Sequence, residues 1–166
     1  MKRMWASWRM KYINTAEKEP GCIFCNALSK QDDSDNLIAL RGERAFIILN
    51  KFPYTSGHLM VAPFAHIATL EDLDVPTRGE MMELATVCMS TLRKIYSPQA
   101  FNLGANIGEA AGAGVPGHVH MHIVPRWNGD TNFMTTIGDV RVLPEDLNDT
   151  YKRVKEYLVP LDGAQT

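Results

Sequence analysis

The sequence predicts one α+β domain, in which an antiparallel sheet of about five strands packs against two main helices and a short N-terminal helix or arm. Two observations support this fold class. Short β-rich runs alternate with turn signals, and two longer stretches repeat apolar residues every three or four positions. The composition agrees, because 45% of the 166 residues are hydrophobic and 22% are charged, as in an ordinary globular domain with one core.

The N-terminal part of the chain is predicted to hold an arm and a short helix. Within residues 1–20, Trp5 and Trp8 follow a helical spacing, so this arm should pack its tryptophans on the body of the domain. A turn that enters a short helix follows over residues 22–29. The polar residues 30–36 then form a loop that leads into the sheet.

Five segments make up the predicted sheet. The residues 41–44 between the first two segments indicate a hairpin, and Pro63 closes the third segment. A loop rich in glycine and alanine over residues 108–117 separates the last two. The predicted strands cover residues 37–40, 45–49, 58–62, 100–105 and 119–125.

The longer of the two main helices is predicted over residues 76–96. Its apolar residues recur at helical spacing, and Ser97 with Pro98 ends it. Cys88 falls on the apolar stripe, which predicts an inert thiol in the core.

The second main helix belongs to a C-terminal extension over residues 134–166. It begins at Pro144, where acidic residues in the first turn complement the helix dipole, and it ends at Pro160. Its apolar stripe consists of Leu147, Tyr151, Val154 and Leu158. With the N-terminal arm, this extension completes a single domain over residues 1–166.

Charge and hydropathy narrow the classes of function. The 17 Lys and Arg against 19 Asp and Glu give a formal net charge of −2, which offers no reason to expect a nucleic acid partner. No apolar run approaches the ~18 residues of a membrane span, and the basic N-terminus lacks the apolar region of a signal peptide. The expectation is a cytoplasmic protein that binds neither membrane nor nucleic acid.

Histidine placement is the anomaly in this composition. Three of the five histidines, His118, His120 and His122, occupy alternate positions and would share one face of the predicted strand, with Val119 facing the core. Adjacent imidazoles repel one another when charged, so they make a poor generic polar face. A metal site and a nucleophilic imidazole with helpers are the two interpretations. The outer pair would lie roughly 13 Å apart, too far to share an ion, so an extended phosphate ligand suits the row better.

Cys22 and Cys25 form a second chemical signal, a Cys-x-x-Cys motif. In a cytoplasmic chain this motif suggests metal or redox chemistry more than a structural disulfide. Its spacing is that of half a tetrahedral metal site.

The segment His118-Val-His-Met-His-Ile-Val resembles the signature of the histidine triad family of nucleotide hydrolases and transferases, in which histidine alternates with apolar residues. Asn50-Lys-Phe-Pro-Tyr-Thr-Ser-Gly-His58 resembles the upstream segment of this family. The matching segments cover residues 22–126 in the family's order. The arm and the residues after the triad resemble the branch of diadenosine tetraphosphate hydrolases or phosphorylases.

A third segment, Asn106-Ile-Gly-Glu-Ala-Ala-Gly112, resembles the family's Gly-rich loop before the triad. Here the stretch between Gly112 and His118 is slightly longer than in the commonest pattern. The resemblance places Asn106 near the α-phosphate of a nucleotide and Gly112 in a phosphate-binding loop, where glycine permits close approach.

The resemblance implies catalytic roles for three histidines. His120 would be the nucleophile that attacks the α-phosphorus of a nucleotide and forms a covalent nucleotidyl-histidine. His122 would contact the scissile phosphate and stabilise or protonate the leaving group, and His58 would sit across the same phosphate. The same resemblance assigns Asn50 to the ribose.

Ile48 and Met60 fall where the family lines its base pocket, although either could equally be a plain core residue. His66 and His118 remain for a metal. Some bacterial triad proteins and the related galactose-1-phosphate uridylyltransferases combine such histidines with a Cys-x-x-Cys pair, which implies a structural zinc on Cys22, Cys25, His66 and His118. A reduced motif without metal is the alternative.

The implied function is cleavage of a dinucleoside polyphosphate, similar to diadenosine tetraphosphate, at the α-phosphate. The attacking group that releases the nucleotide from His120 is water in a hydrolase and phosphate in a phosphorylase, and the residues do not decide between them. Nucleoside phosphoramidase or adenylate-conjugate hydrolase activity is an alternative, as is a nucleotide-binding module without catalysis. A homodimer is expected, and Mg²⁺ could accompany the substrate.

Overall fold

The structure is a computed structural model that describes residues 21–130 and 145–159. The helices in these ranges are α1 (Ile23–Ser29), α2 (Val75–Tyr96) and α3 (Leu147–Tyr157), and a 3₁₀ turn covers Glu109–Ala111. The strands β1 to β5 are Ile38–Arg41, Ala45–Leu49, Leu59–Pro63, Ala100–Gly104 and Met121–Arg126. The predicted arm over residues 1–20, much of the predicted C-terminal extension, and the helix boundaries at Pro144 and Pro160 lie outside the described residues. The single-domain organisation therefore stays a prediction.

The five strands form one antiparallel sheet in the order β1-β2-β3-β5-β4. The first three strands are neighbours both in sequence and in space, whereas β5 inserts between β3 and β4. The predicted antiparallel α+β fold is confirmed, and the strand ends agree with the prediction to within two residues. Because β3 begins at Leu59, His58 is the last residue of the preceding turn.

The main hydrophobic core lies between one face of the sheet and helices α2 and α3. The predicted stripe of α2 is buried there, and burial raises the pKa of the Cys88 thiol, which keeps it protonated and unreactive. From α3, Tyr151 and Val154 join this core, and the Tyr151 hydroxyl donates to the Ile38 carbonyl at 3.1 Å. The core also receives three side chains from the triad segment: Val119, Met121 and Ile123.

Local chemistry explains the ends of α2. Asp74 is its N-cap, and the Asp74 carboxylate accepts a hydrogen bond from the backbone N–H of Thr77 at 2.8 Å. The chain leaves the helix at Ser97, which adopts a left-handed conformation with φ of 46°. The helix predicted over residues 76–96 is thus confirmed to within one residue. None of the helices that the structure describes is long and apolar enough to cross a membrane.

The short helix α1 covers the opposite face of the sheet. Phe24 and Ala27 of α1 are buried against apolar residues of β1, β2 and β3, namely Ile38, Phe46, Ile48, Met60 and Ala62. The rings of Phe24 and Phe46 meet edge to face with centroids 6.3 Å apart. This packing fixes the Cys-x-x-Cys motif, which α1 carries, over the sheet.

The strand predicted over residues 119–125 begins later than expected, at Met121. The antiparallel register pairs Val61 of β3 with Met121 of β5. Two residues further along, the same register would set Val119 opposite Pro63. Since proline has no N–H to donate, the ladder between β3 and β5 ends there.

The residues before β5 therefore make other contacts. The backbone N–H of Val119 donates to the carbonyl of Ile67 at 2.7 Å. His118 and His120 lie on the segment that enters the strand, and only His122 lies on the strand itself. The three histidines consequently do not form the single row on a strand that the sequence predicted.

Candidate active site and metal centre

Three histidines meet where β3 and β5 lie side by side. His122 on β5 is paired with Met60 on β3, and His58 immediately precedes β3. The ring centroid of His122 lies 5.1 Å from that of His58 and 4.9 Å from that of His120. The structure thus brings together all three imidazoles that the sequence predicted to be catalytic.

The turn before His58 requires a glycine. Gly57 has a φ of +77°, and a Cβ at this position would lie 2.8 Å from the side chain of Leu92 on α2. The close approach of the turn to α2 places His58 at the end of β3, with its side chain only 1% exposed.

His120 is oriented by the backbone of its neighbour. Its Nδ1 lies 2.8 Å from the carbonyl oxygen of His118, which can only accept, so Nδ1 carries the proton and Nε2 keeps its lone pair. Burial lowers the pKa of His120 below its ordinary value of 6.5. At neutral pH the ring is uncharged and its Nε2 is unprotonated, which is the state that a nucleophile needs.

His58 and His122 form a hydrogen-bonded pair, with His58 Nε2 2.9 Å from His122 Nδ1. Burial, and secondarily the charge of His120, lower the pKa of His122 to about 4. The ring of Tyr54 covers both, with its centroid 4.6 Å from that of His58 and 6.1 Å from that of His122. His122 is therefore uncharged at neutral pH.

The predicted ribose-binding residue Asn50, which directly follows β2, also lies at this cluster. Its Oδ1 accepts a hydrogen bond from the backbone N–H of Phe52 at 2.9 Å, and its amide nitrogen lies 3.3 Å from Nδ1 of His58. Asn106 and Gly112 lie on the loop between β4 and β5, where both are half-buried. Gly112 ends the 3₁₀ turn with a φ of +82°, a conformation that glycine adopts without strain.

Ile48 and Met60, the residues proposed for the base pocket, are cross-strand partners on β2 and β3. Both are buried in the apolar cluster beneath α1. Phe24 of the same cluster has its ring centroid 4.8 Å from that of His120. An apolar wall thus lies directly beside the proposed nucleophile.

The other two histidines meet the Cys-x-x-Cys motif. The ligating atoms of Cys22, Cys25, His66 and His118 all lie within 4.8 Å of one another. The Sγ atoms of Cys22 and Cys25 lie 3.4 and 3.7 Å from His118 Nδ1, and Cys25 Sγ lies 3.4 Å from His66 Nδ1. A zinc tetrahedron with bonds of ~2.3 Å to sulfur and ~2.1 Å to nitrogen has S–N edges of about 3.6 Å. The donor set and its spacing fit zinc.

The tautomer of His118 also fits a metal ligand. Its Nε2 lies 2.9 Å from the carbonyl oxygen of Pro63, so Nε2 carries the proton and the lone pair of Nδ1 faces the two sulfurs. No other group of His, Cys and acidic side chains within the described ranges is arranged to hold an ion. Those ranges thus give no support for a protein site for Mg²⁺.

Two aromatic residues at these sites were not predicted from the sequence. Phe24 packs against both His118 and His120, with centroids 5.1 and 4.8 Å apart. The sequence did contain a signal for Phe24, because Phe24 lies between Cys22 and Cys25. A metal shared by these cysteines and His118 would bring Phe24 close to the triad. Tyr54 lies within the segment 50–58 that resembled the family, and the ring contact with His58 had no separate signal.

A five-stranded antiparallel sheet brings two clusters of histidines to the start of β5. This arrangement is the one expected of a histidine triad protein. The HIT domain profile matches residues 31–129. The chain belongs to the HIT domain family, and the resemblance seen in the motifs is confirmed.

Known relatives agree with this assignment. The protein named AP-4-A phosphorylase of Mycobacterium tuberculosis is 35% identical over 157 residues, which cover 90% of this chain and 80% of the relative. A Zn-bound histidine triad family protein from Mycobacterium smegmatis superimposes with a TM-score of 0.69 at 27% identity, covering 87% of this chain and 98% of that one. Adenylylsulfatase HINT3 of Arabidopsis thaliana is 28% identical over 118 residues, which cover 71% of this chain and 58% of the relative.

Proposed function

We propose that this chain, a nucleotide hydrolase or phosphorylase of the HIT type, cleaves dinucleoside polyphosphates such as diadenosine tetraphosphate at the α-phosphate. The observation that carries the proposal is the hydrogen bond from His120 Nδ1 to the His118 carbonyl, which leaves Nε2 of a buried, uncharged imidazole free to attack. The likeness to an AP-4-A phosphorylase supports the substrate class and favours phosphate as the second acceptor.

In the proposed first step, Nε2 of His120 forms a bond to the α-phosphorus while the bond from that phosphorus to the bridging oxygen breaks. The remaining polyphosphate leaves with the electron pair of that bond, and His122 stabilises the oxygen that departs. The nucleotidyl-imidazolium keeps its Nδ1 proton on the His118 carbonyl. Attack by phosphate or water then releases the nucleotide and regenerates neutral His120.

Substrate binding is proposed for the residues around this centre. Asn50 would hold the ribose, and Asn106 with the backbone at Gly112 would hold the α-phosphate. Ile48 and Met60 would form the apolar floor on which the base packs, a role that their place in the cluster beneath α1 supports.

We also propose a structural zinc ion on Cys22, Cys25, His66 and His118. It would tie α1 to the segment that enters β5 and hold that segment in register. A cytoplasmic location is part of the proposal, because thiols that hold a metal need a reducing compartment.

A homodimer formed through β4 is the proposed assembly. Within residues 21–130 and 145–159, this strand pairs with β5 on one side and no strand pairs with its other edge, which we propose is the edge that meets a second copy. Leu103 on β4 and Ile107 just after it are each 40% exposed, which gives this edge an apolar surface.

The products from diadenosine tetraphosphate test the proposal. Incubation with phosphate should give ADP and ATP if phosphate attacks the nucleotidyl-His120, whereas attack by water should give AMP and ATP. Absence of turnover under both conditions would contradict the proposal and favour a binding module.

His120→Ala should reduce turnover by about 10⁴-fold or more, because no other group replaces the nucleophile. The measurement is steady-state turnover by anion-exchange chromatography of the nucleotides, with circular dichroism to check folding. His120→Ala with the activity of the unchanged protein would rule out the covalent mechanism.

Adenylate-conjugate hydrolysis is the second candidate. The likeness to a protein named adenylylsulfatase favours it, since such a substrate also presents an α-phosphorus to His120. Release of AMP from adenosine 5′-phosphosulfate at a kcat/KM above that for diadenosine tetraphosphate would make it the main activity.

A further inference from the structure

We infer that His58 is a positioning residue that fixes the proton of His122 on Nε2, so that His122 gives the leaving group a hydrogen bond from a neutral imidazole and the site selects groups that depart as anions. The inference rests on the proposed function, in which His122 serves the leaving group. It gives His58 a contact different from the phosphate contact that the family resemblance implied.

The hydrogen-bond chain begins at the backbone of Tyr54. Its N–H lies 3.1 Å from Nδ1 of His58 and can only donate. The amide nitrogen of Asn50 lies between the two ring nitrogens, 3.3 Å from Nδ1 and 3.5 Å from Nε2, so the backbone N–H of Tyr54 is the group that decides the tautomer. Nδ1 of His58 is thereby the acceptor, and a neutral imidazole in that state carries its proton on Nε2.

The next link joins the two rings. Nε2 of His58 lies 2.9 Å from Nδ1 of His122, and because the former carries a proton, the latter accepts. The proton of neutral His122 is then on its Nε2. The reverse assignment for His122 would point two N–H groups at each other across this distance.

Two neighbouring triad members therefore hold opposite tautomers. His120 is protonated on Nδ1 through the His118 carbonyl and presents a lone pair at Nε2, whereas His122 presents an N–H at Nε2. One ring is thereby prepared to attack phosphorus, and the other to donate a hydrogen bond. The 1% exposure of His58 and the Tyr54 ring against it keep competing water away from the link.

A hydrogen bond from neutral imidazole stabilises a departing anion but does not supply a full proton, since transfer would leave an imidazolate. A polyphosphate leaves as an anion and needs no more than this. An alkylamine expelled from a phosphoramidate must gain a proton as the bond to phosphorus breaks. The lowered pKa of His122 agrees with the geometry, because the ring is not an imidazolium at neutral pH.

Imidazole NMR of the zinc-loaded protein, labelled with ¹⁵N-histidine, tests the chain at pH 7.5. We expect the Nε2–H tautomer for His122 and the Nδ1–H tautomer for His120, with signals assigned from His122→Asn and His120→Asn spectra. His58→Gln keeps an amide N–H toward His122 and should preserve its tautomer, and His58→Leu should not. Tyr54→Phe retains the backbone donor and serves as the control. An Nδ1–H tautomer at His122 in the unchanged protein would overturn the inference.

Kinetics test the selectivity. At pH 7.5, kcat/KM for diadenosine tetraphosphate should exceed that for an adenosine N-alkylphosphoramidate by at least about 100-fold. His58→Leu should lower kcat for diadenosine tetraphosphate by about 10–100-fold with little change in KM, and His58→Gln should restore most of the loss. Equal rates on the two substrates, or equal impairment of the two variants, would contradict the inference. If the unchanged protein turns over no nucleotide, the proposed function fails. The tautomers seen by NMR would still test the hydrogen bonds from Tyr54 through His58 to His122.

Discussion

His118 serves two centres with three different atoms. Its Nδ1 faces the sulfurs of Cys22 and Cys25, its Nε2 donates to the carbonyl of Pro63, and its own carbonyl accepts from His120. The side chain thus belongs to the metal centre and the backbone to the candidate active site. Because His118 has both roles, a structural change at the metal centre directly alters the hydrogen bond between the His118 carbonyl and His120.

The pH dependence of stability is expected to follow His122. Its pKa is about 4 in the fold and near 6.5 when unfolded, so below pH 6.5 the unfolded state binds a proton that the folded state does not. Stability should therefore fall as the pH drops from 6.5 toward 4, with a loss of about 2 kcal/mol by pH 5. Urea unfolding at pH 7 and pH 5 measures this.

His122→Asn is the matched control for this linkage, because asparagine does not titrate. Groups outside the cluster of His58, His120 and His122 titrate in both proteins, so their contributions cancel in the comparison. The same pH dependence in both proteins would mean that His122 titrates normally in the fold.

At the scale of elements, the boundary of β5 shows what the sequence could and could not predict. Apolar periodicity and proline positions were enough for α2 and for the order of strands, because burial of one face dominates those elements. The start of β5 depends on which residue of β3 lies opposite, and register is a property of two distant segments. Pro63 was visible in the sequence, but its pairing position opposite Val119 was not.

The candidate site, like the fold, could be predicted from the sequence only in part. The motifs identified the five histidines and both cysteines, since residue type and spacing suffice for ligands and nucleophiles. They could not identify the hydrogen bonds that choose tautomers, because Tyr54 contributes to His58 through its backbone N–H, which every residue except proline possesses. The place of Phe24 likewise depends on α1 folding over the sheet.

Loss of the proposed zinc should weaken the attachment of α1. Cys25→Ser is expected to bind less than half an equivalent of zinc and, for a metal held at 1,000 times its Kd, to lose about 4 kcal/mol. A domain of this size would then melt roughly 8–16 °C lower. Metal analysis and a thermal melt are the measurements.

Cys88→Ala provides the comparison for this variant, since Cys88 is a buried thiol of α2 in the core on the face of the sheet opposite α1. It should keep a full equivalent of zinc even though it leaves a small cavity. A Cys25→Ser protein with undiminished zinc and melting temperature would exclude the Cys₂His₂ site.

At the scale of the whole molecule, the described residues cover the two edges of the sheet unequally. Helices pack on both faces of the sheet, but its two edge strands differ. The edge strand β1 is contacted by α3, whereas β4 presents exposed residues along most of its length. An open strand edge of this kind is either a docking surface or an aggregation hazard, which is the physical basis for the proposed dimer.

Leu103→Lys should shift the protein from dimer to monomer, because the two copies would bring like charges onto an apolar edge. Light scattering coupled to size exclusion should then report the chain mass of 18.6 kDa in place of twice that value. Met82→Lys adds the same charge at a somewhat more exposed apolar residue of α2 and should remain dimeric. A dimer unaffected by Leu103→Lys would place the interface elsewhere.

The contact between Cys22 and His118 spans 96 residues of chain, which has a consequence for the order of folding. Two cysteines three positions apart can hold a metal weakly while the chain is still unfolded, but the ligand His118 arrives only when β3 and β5 have paired. Closing so large a loop is slow, so full metal affinity should develop in the last kinetic phase of refolding. The ion would then stabilise a sheet that has already formed and would not nucleate its formation.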